Sequence, residues 1–188
     1  MTVSNDVTIN PENDDAVTIT NSNGADTRVL DLAQGVSVTL GAMIIDAENT
    51  IGSCVRDNGT GADVVLNGTK LRNGTNYGLY CERDVTLSGD WECTGAMDVA
   101  GINSLPSTND AQIVIRGGAV TLNAANTTIG IAVVPQSGVT GVDVVIHDSA
   151  ISVTVATGTP QGIQTGISTD NQQIATLDAR NIDIRSGS

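Results

Sequence analysis

Four ten-residue segments of this chain align without a gap: VSVTLGAMII (36–45), IVIRGGAVTL (113–122), VVIHDSAISV (144–153) and ATLDARNIDI (175–184). Apolar or small residues fall at relative positions 0, 2, 7 and 9 in each. Looser copies start at Val64 and Val85, and a faint one at Val7. The step between 0 and 2 is that of a strand with one face inward, and the odd interval from 2 to 7 puts a corner between two strands. A Gly-Ile or Gly-Leu motif follows the later starts, in GLYC (78–81), GIN (101–103), GIAVV (130–134) and GIQTGI (162–167). Each unit therefore reads as strand, short turn, strand, polar loop, and a third strand. A unit this small cannot bury its own apolar face, but stacked units can, each pairing with the next at about 4.8 Å. The expectation is an all-β chain, a parallel β-solenoid of about six to seven coils of 21–31 residues with three short parallel sheets. Residues 1–188 would form a single parallel β-helix domain, or a segment of a longer repeat protein.

Composition agrees with a thin interior. Hydrophobic residues make up 39% of the chain but aromatic ones only 2%, with no Phe, so the core has to be built from Val, Ile, Leu and Ala. The net charge of −13 comes from 21 acidic and 8 basic residues, and Lys70 is the one lysine. No basic patch suited to nucleic acid is present, and an anionic membrane surface is disfavoured for the same reason. No apolar run approaches the ~20 residues of a membrane span, so membrane insertion is not expected. The N-terminal MTVSNDVTIN has neither the charged nor the apolar region of a leader. Seventeen of the acids are Asp; turn chemistry is the first explanation, with a salty habitat or a bound cation as alternatives.

The tripeptide Asn-Gly-Thr occurs at 58, 67 and 73, and Asn-Thr-Thr at 126. Each is formally an N-glycosylation acceptor. Asn-Gly also takes positive φ readily, so the first reading is corners of the coil, with glycosylation of Asn58, Asn67, Asn73 or Asn126 left open. Together the Gly-Ile strands and the 20–30-residue coils resemble the right-handed parallel β-helix proteins, the pectate-lyase-like superfamily, most of all its adhesin and autotransporter-passenger type of surface solenoid. The resemblance spans nearly the whole chain and rests on pattern; it implies the right-handed coil.

Candidate sites are few. Position 3 of the aligned segments faces outward and reads Thr39, Asn67, Ser88, Arg116, His147, Asp178. Arg116, His147 and Asp178 on successive coils are the candidate catalytic group, an acid/base pair or an anion clamp, against the alternative of a solvated polar ladder. Tyr77, Tyr80 and Trp91 are the candidate ligand-binding residues, one local aromatic patch, against packing at an irregular coil junction. Lys70 and Arg72 lie near Asp63, Asp84 and Asp90 in sequence, but no family motif of catalytic or calcium-binding residues matches. No structural metal site is expected, since there is no CxxC and a single His, and no cofactor beyond calcium comes into question. Position 1 is a partly apolar outer strip, Val65, Val114 and Val145 with Ser37, Thr86 and Thr176. Cys54 and Cys81 fall at similar points of their coils, as free buried thiols or a bridge. The scatter of Thr argues against an ice-binding face.

Neither end carries an amphipathic cap, so open strand edges invite pairing. The functional expectation is a non-catalytic, extracellular or cell-surface structural or adhesive solenoid. Its partner would be itself, end to end or laterally, or a host-surface glycan. The alternatives are a polysaccharide lyase or hydrolase, and a viral or phage fibre component that binds glycans.

Overall fold

The computed structural model describes residues 2–11, 17–20, 28–57, 63–166 and 174–187. Among them there is no helix, and 21 strands fall into three parallel sheets of seven. The chain visits the sheets in rotation, so every third strand in sequence is a neighbour in space. The first sheet contains Ser53–Asp57, Tyr77–Cys81, Ala100–Ser104 and Ile129–Val133. The second contains Val64–Asn67, Val85–Ser88, Gln112–Arg116 and Val142–His147. The third contains Lys70–Arg72, Glu92–Gly95, Ala119–Ala124 and Ala150–Val155. This is a parallel β-solenoid. It makes about five turns, slightly fewer than the six to seven coils expected.

The apolar positions of the repeat stack in columns. On the second sheet Leu66, Leu87, Ile115 and Ile146 stand one above another. On the third the column is Ile45, Leu71, Cys93, Val120, Ile151, and on the first Leu30, Val55, Leu79, Ile102, Ile131. These side chains are at most 1% exposed, and they form one continuous core. Beta-branched and Leu side chains fit such a pleated, shared surface.

The glycine of the Gly-Ile motif makes the core thin. Gly78, Gly101 and Gly130 precede the stacked Leu79, Ile102 and Ile131 and lie against the third sheet. A Cβ on Gly130 would sit 2.5 Å from Ile151 Cγ2 and 2.6 Å from the Gly162 carbonyl oxygen. The corner between second and third sheets is a second column, Gly68, Gly89, Gly117, Asp148 and Asn181, with φ of 71°, 68°, 68°, 55° and 53°. Only Gly, Asn and Asp take that left-handed conformation at low cost. The Asn181 side-chain amide donates to Asp148 Oδ1 at 2.7 Å, tying adjacent corners together.

Two coils depart from the expected register. Val38, not Val36, pairs with Val64, and Ile45, not Met43, with Leu71. At the other end a bulge places Val142 opposite Ile174 and Asp143 opposite Thr176. Every later residue of that strand is displaced by two: Leu177 lies opposite Val144, and Ala179 opposite Ile146. On the third sheet Ile184, not Ile182, pairs with Ile151. The expectation that Ile115, Ile146 and Leu177 share one column is therefore corrected. A slip of two preserves which face is inward, so alternation alone cannot detect it.

Candidate functional site

The outer faces hold the candidate residues. On the second sheet Arg116 and His147 are in register as expected. The bulge brings Arg180, not Asp178, opposite His147, and Asp178 stands opposite Val145. The outward strip through Val65 is corrected likewise: it runs Thr39, Val65, Thr86, Val114, Val145, Asp178, without Ser37 or Thr176.

Asp178 still reaches its neighbours diagonally. Its carboxylate accepts from Arg180 Nε at 2.6 Å and from Nη2 at 2.7 Å. His147 Nε2 lies 3.2 Å from Asp178 Oδ2, off the line of a well-directed hydrogen bond. The Arg180 hydrogen bonds, with help from His147, hold the Asp178 carboxyl below the usual carboxylate range. Asp178 is thus a clamped anion on an open face. Arg180 is 72% exposed, so solvent weakens the pair.

The aromatic residues separate. Tyr77 and Tyr80 point outward from one strand of the first sheet, ring centroids 5.4 Å apart and edge to face. The Arg56 guanidinium lies over the Tyr80 ring, 5.1 Å from its centroid. Tyr80 Oη donates to Glu82 Oε1 at 2.9 Å; burial first, and then Glu82, push the Tyr80 hydroxyl up to about 12. Trp91 is elsewhere: 1% exposed, at the corner before the third sheet. Its Nε1 donates to the Arg116 carbonyl oxygen at 3.2 Å, and a Cβ on Gly118 would overlap its ring. The residue that makes room for Trp91 sits 27 positions downstream, on the next coil. Lys70 pairs with Glu92 at 3.1 Å and donates to the Asp90 carbonyl oxygen, while Arg72 is 4.0 Å from Glu92.

A buried ion pair is the feature sequence reading missed. Arg83 and Asp57 are 1% and 0% exposed and joined through Arg83 Nη2 and Asp57 Oδ1. Arg83 also donates to the carbonyl oxygens of Ala33 and Val36, and Asp57 Oδ2 accepts from the Glu82 backbone N–H at 3.1 Å. One side chain thus pins three successive coils. In the fold Asp57 occupies the inward column of Leu32 and touches Cys81, where a lone carboxylate would be too costly to bury.

Much of the acidic charge does local work. Asp6 Oδ1 accepts from the Ser37 backbone N–H, and Asp84 Oδ1 from that of Gln112. Asp46 Oδ1 takes the Glu48 N–H and the Asn73 amide. Asn73 sits at φ 60°, which explains its Asn-Gly as a corner; Asn67 and Asn126 are exposed. Asn58 lies outside the described residues. Cys54, Cys81 and Cys93 are buried free thiols. Cys81 stands opposite Ser104 and Cys54 one position off the Tyr77–Ser53 pairing, so the two are not register partners. Burial pushes the Cys54 thiol up to about 12 and raises the Cys81 and Cys93 thiols as well. Among the described residues no group of three or more His, Cys, Asp or Glu could hold a metal ion, and no helix is long and apolar enough to cross a membrane.

The class this architecture defines is the parallel β-solenoid. Comparison with protein-family models, with curated proteins and with solved structures finds no match for the chain, so the fold and its surface carry the functional argument.

Proposed function

We propose that the chain is a non-catalytic structural or adhesive rod segment of an extracellular or cell-surface assembly, presenting polar side-chain ladders and continuing its sheets end to end. The observation that carries this reading is at the last described coil. Leu177 and Ile184 stand in core columns yet are 51% and 48% exposed. Ile151, directly below Ile184, is 1% exposed. Apolar core positions exposed on this coil, beside strand edges unpaired among the described residues, favour pairing with another copy. The test is sedimentation velocity and negative-stain microscopy over a concentration series. Filaments or end-to-end dimers are expected, lost in the double variant Leu177→Asp, Ile184→Asp. Strict monomers at every concentration contradict self-stacking.

The contact of His147 with Asp178 favours a second reading, a polysaccharide lyase or hydrolase. Depolymerisation of polygalacturonate, alginate or chondroitin with calcium present, abolished by His147→Ala or Lys70→Ala, would replace the first reading by the second.

A further inference from the structure

The outer face of the second sheet has an apolar middle and two unlike sides. Down its centre run Thr39, Val65, Thr86, Val114 and Val145, all half-buried and turned away from the core. Asp178, held by Arg180, ends this strip. Where the chain enters the sheet, the residues beside the strip are Asp63, Asp84, Gln112 and Asp143. Where it leaves, they are Asn67, Ser88, Arg116 and His147. The entry side thus offers acceptors and the exit side donors.

These groups retain bonding capacity. Arg116 and Gln112 are exposed, with no side-chain partner among the described residues. Asp84 uses one oxygen on the Gln112 backbone N–H, and Asp143 one on the Thr176 hydroxyl. On the third sheet, by contrast, outward charges pair with one another, Lys70 with Glu92 at 3.1 Å and Arg185 with Asp183 at 2.8 Å.

A face with an acceptor side and a donor side fits itself in one orientation. Let two copies lie side by side with rods parallel, related by a two-fold axis along the strip. Each entry side then meets the partner's exit side, coil by coil. Asp63 faces the partner's Asn67, Asp84 the partner's Ser88, Gln112 the partner's Arg116 and Asp143 the partner's His147. Every pair sets an acceptor against a donor. Antiparallel rods would set the acidic side against itself, which like charges oppose. The valines lie on the axis and meet their own copies, which removes apolar surface from water.

We propose that this face is a lateral dimer interface, its partner a second copy of the chain in parallel alignment. The surface is distinct from the one that end-to-end stacking would use. The strip and its two sides span about 19 Å by about 13 Å, which places the contact among small, transient interfaces.

Cysteine crosslinking tests the arrangement. Single variants Val65→Cys, Val114→Cys and Val145→Cys are treated with a short bis-maleimide, the native thiols being buried. All three are expected to give covalent dimers, because a parallel two-fold axis passes every rung of the strip. Thr121→Cys, on the outer face of the third sheet, should give no more dimer than the parent. Val114→Asp, added to Val145→Cys and shown folded by circular dichroism, should lower the dimer yield about tenfold, since two carboxylates then meet on the axis. Crosslinking at Val114→Cys alone would mean antiparallel rods and overturns the proposal. So does dimer no higher than the parent's at all three positions, equal yield from Thr121→Cys, or a folded Val114→Asp variant that crosslinks undiminished. End-to-end stacking brings none of these positions together, and the Leu177→Asp, Ile184→Asp variant reads it separately.

Discussion

The coils beginning at Ile113 and Val144 and the coil beginning at Leu177 carry nearly the same pattern of apolar residues but have different surroundings. Ile113 and Val144 pair directly and are fully buried, while Leu177, opposite Val144, is half exposed. The inner pair keeps one register over five consecutive residues, and the outer pair is broken by a bulge. An apolar side chain in this fold is therefore stabilising in proportion to the coils on both sides of it. Core columns are shared property of neighbours, and a terminal rung receives only half of that burial.

Predictions follow from the strength of this contrast. The largest effect is expected inside, at Arg83. Arg83→Met leaves Asp57 buried without its partner and should cost about 3–5 kcal/mol in urea unfolding. Arg185→Met, at an exposed pair on the last coil, should cost under about 1 kcal/mol. Next, Ile146→Ala should cost about 2–5 kcal/mol through a cavity between two buried neighbours. Leu177→Ala, half exposed, should fall below about 1 kcal/mol. Equal costs at the two positions would break the comparison.

Gly130→Ala should destabilise by about 1–3 kcal/mol, because its methyl meets Ile151 and the next backbone at once. The smallest effect is on the last coil and depends on pH. Asp178 has a folded-state pKa below its ordinary 3.8, so the ionised carboxylate stabilises the folded chain. That contribution is complete above the ordinary carboxylate range and is lost as pH falls through the depressed value. The melting-temperature difference between the parent and Asp178→Asn should therefore be present at pH 7 and vanish in strong acid.

How much of this could be read from residues alone follows from what a pattern encodes. Alternation at positions 0, 2, 7 and 9 specifies which side chains enter a stacked core, and that gave three parallel sheets. Alternation fixes register only to the nearest two residues. VSVTL offers Val36 with Val38 or Val38 with Leu40 equally well, and ATLDA offers Ala175 with Leu177 or Leu177 with Ala179. Both were resolved by neighbours in space. The column of Arg116 and His147 was legible for the same reason that Asp178 was misplaced in it. Trp91 could be read either as part of a surface patch or as packing at a coil junction, because its cover, Gly118, belongs to another coil. Arg83 and Asp57 drew no reading from sequence because nothing local marks a pair 26 residues apart as shared interior.

Disulfide trapping tests the central claim of parallel stacking, slip included, most directly. Neighbouring Cα atoms on adjacent coils lie about 4.8 Å apart, within reach of a disulfide. Asp178 stands opposite Val145, whereas an unslipped coil would place Thr176 there. The double variant Val145→Cys, Asp178→Cys should form an intramolecular disulfide on mild oxidation, and Val145→Cys, Thr176→Cys should not. Bridging of the second pair in place of the first would contradict the register, and bridging of neither would contradict the stack itself.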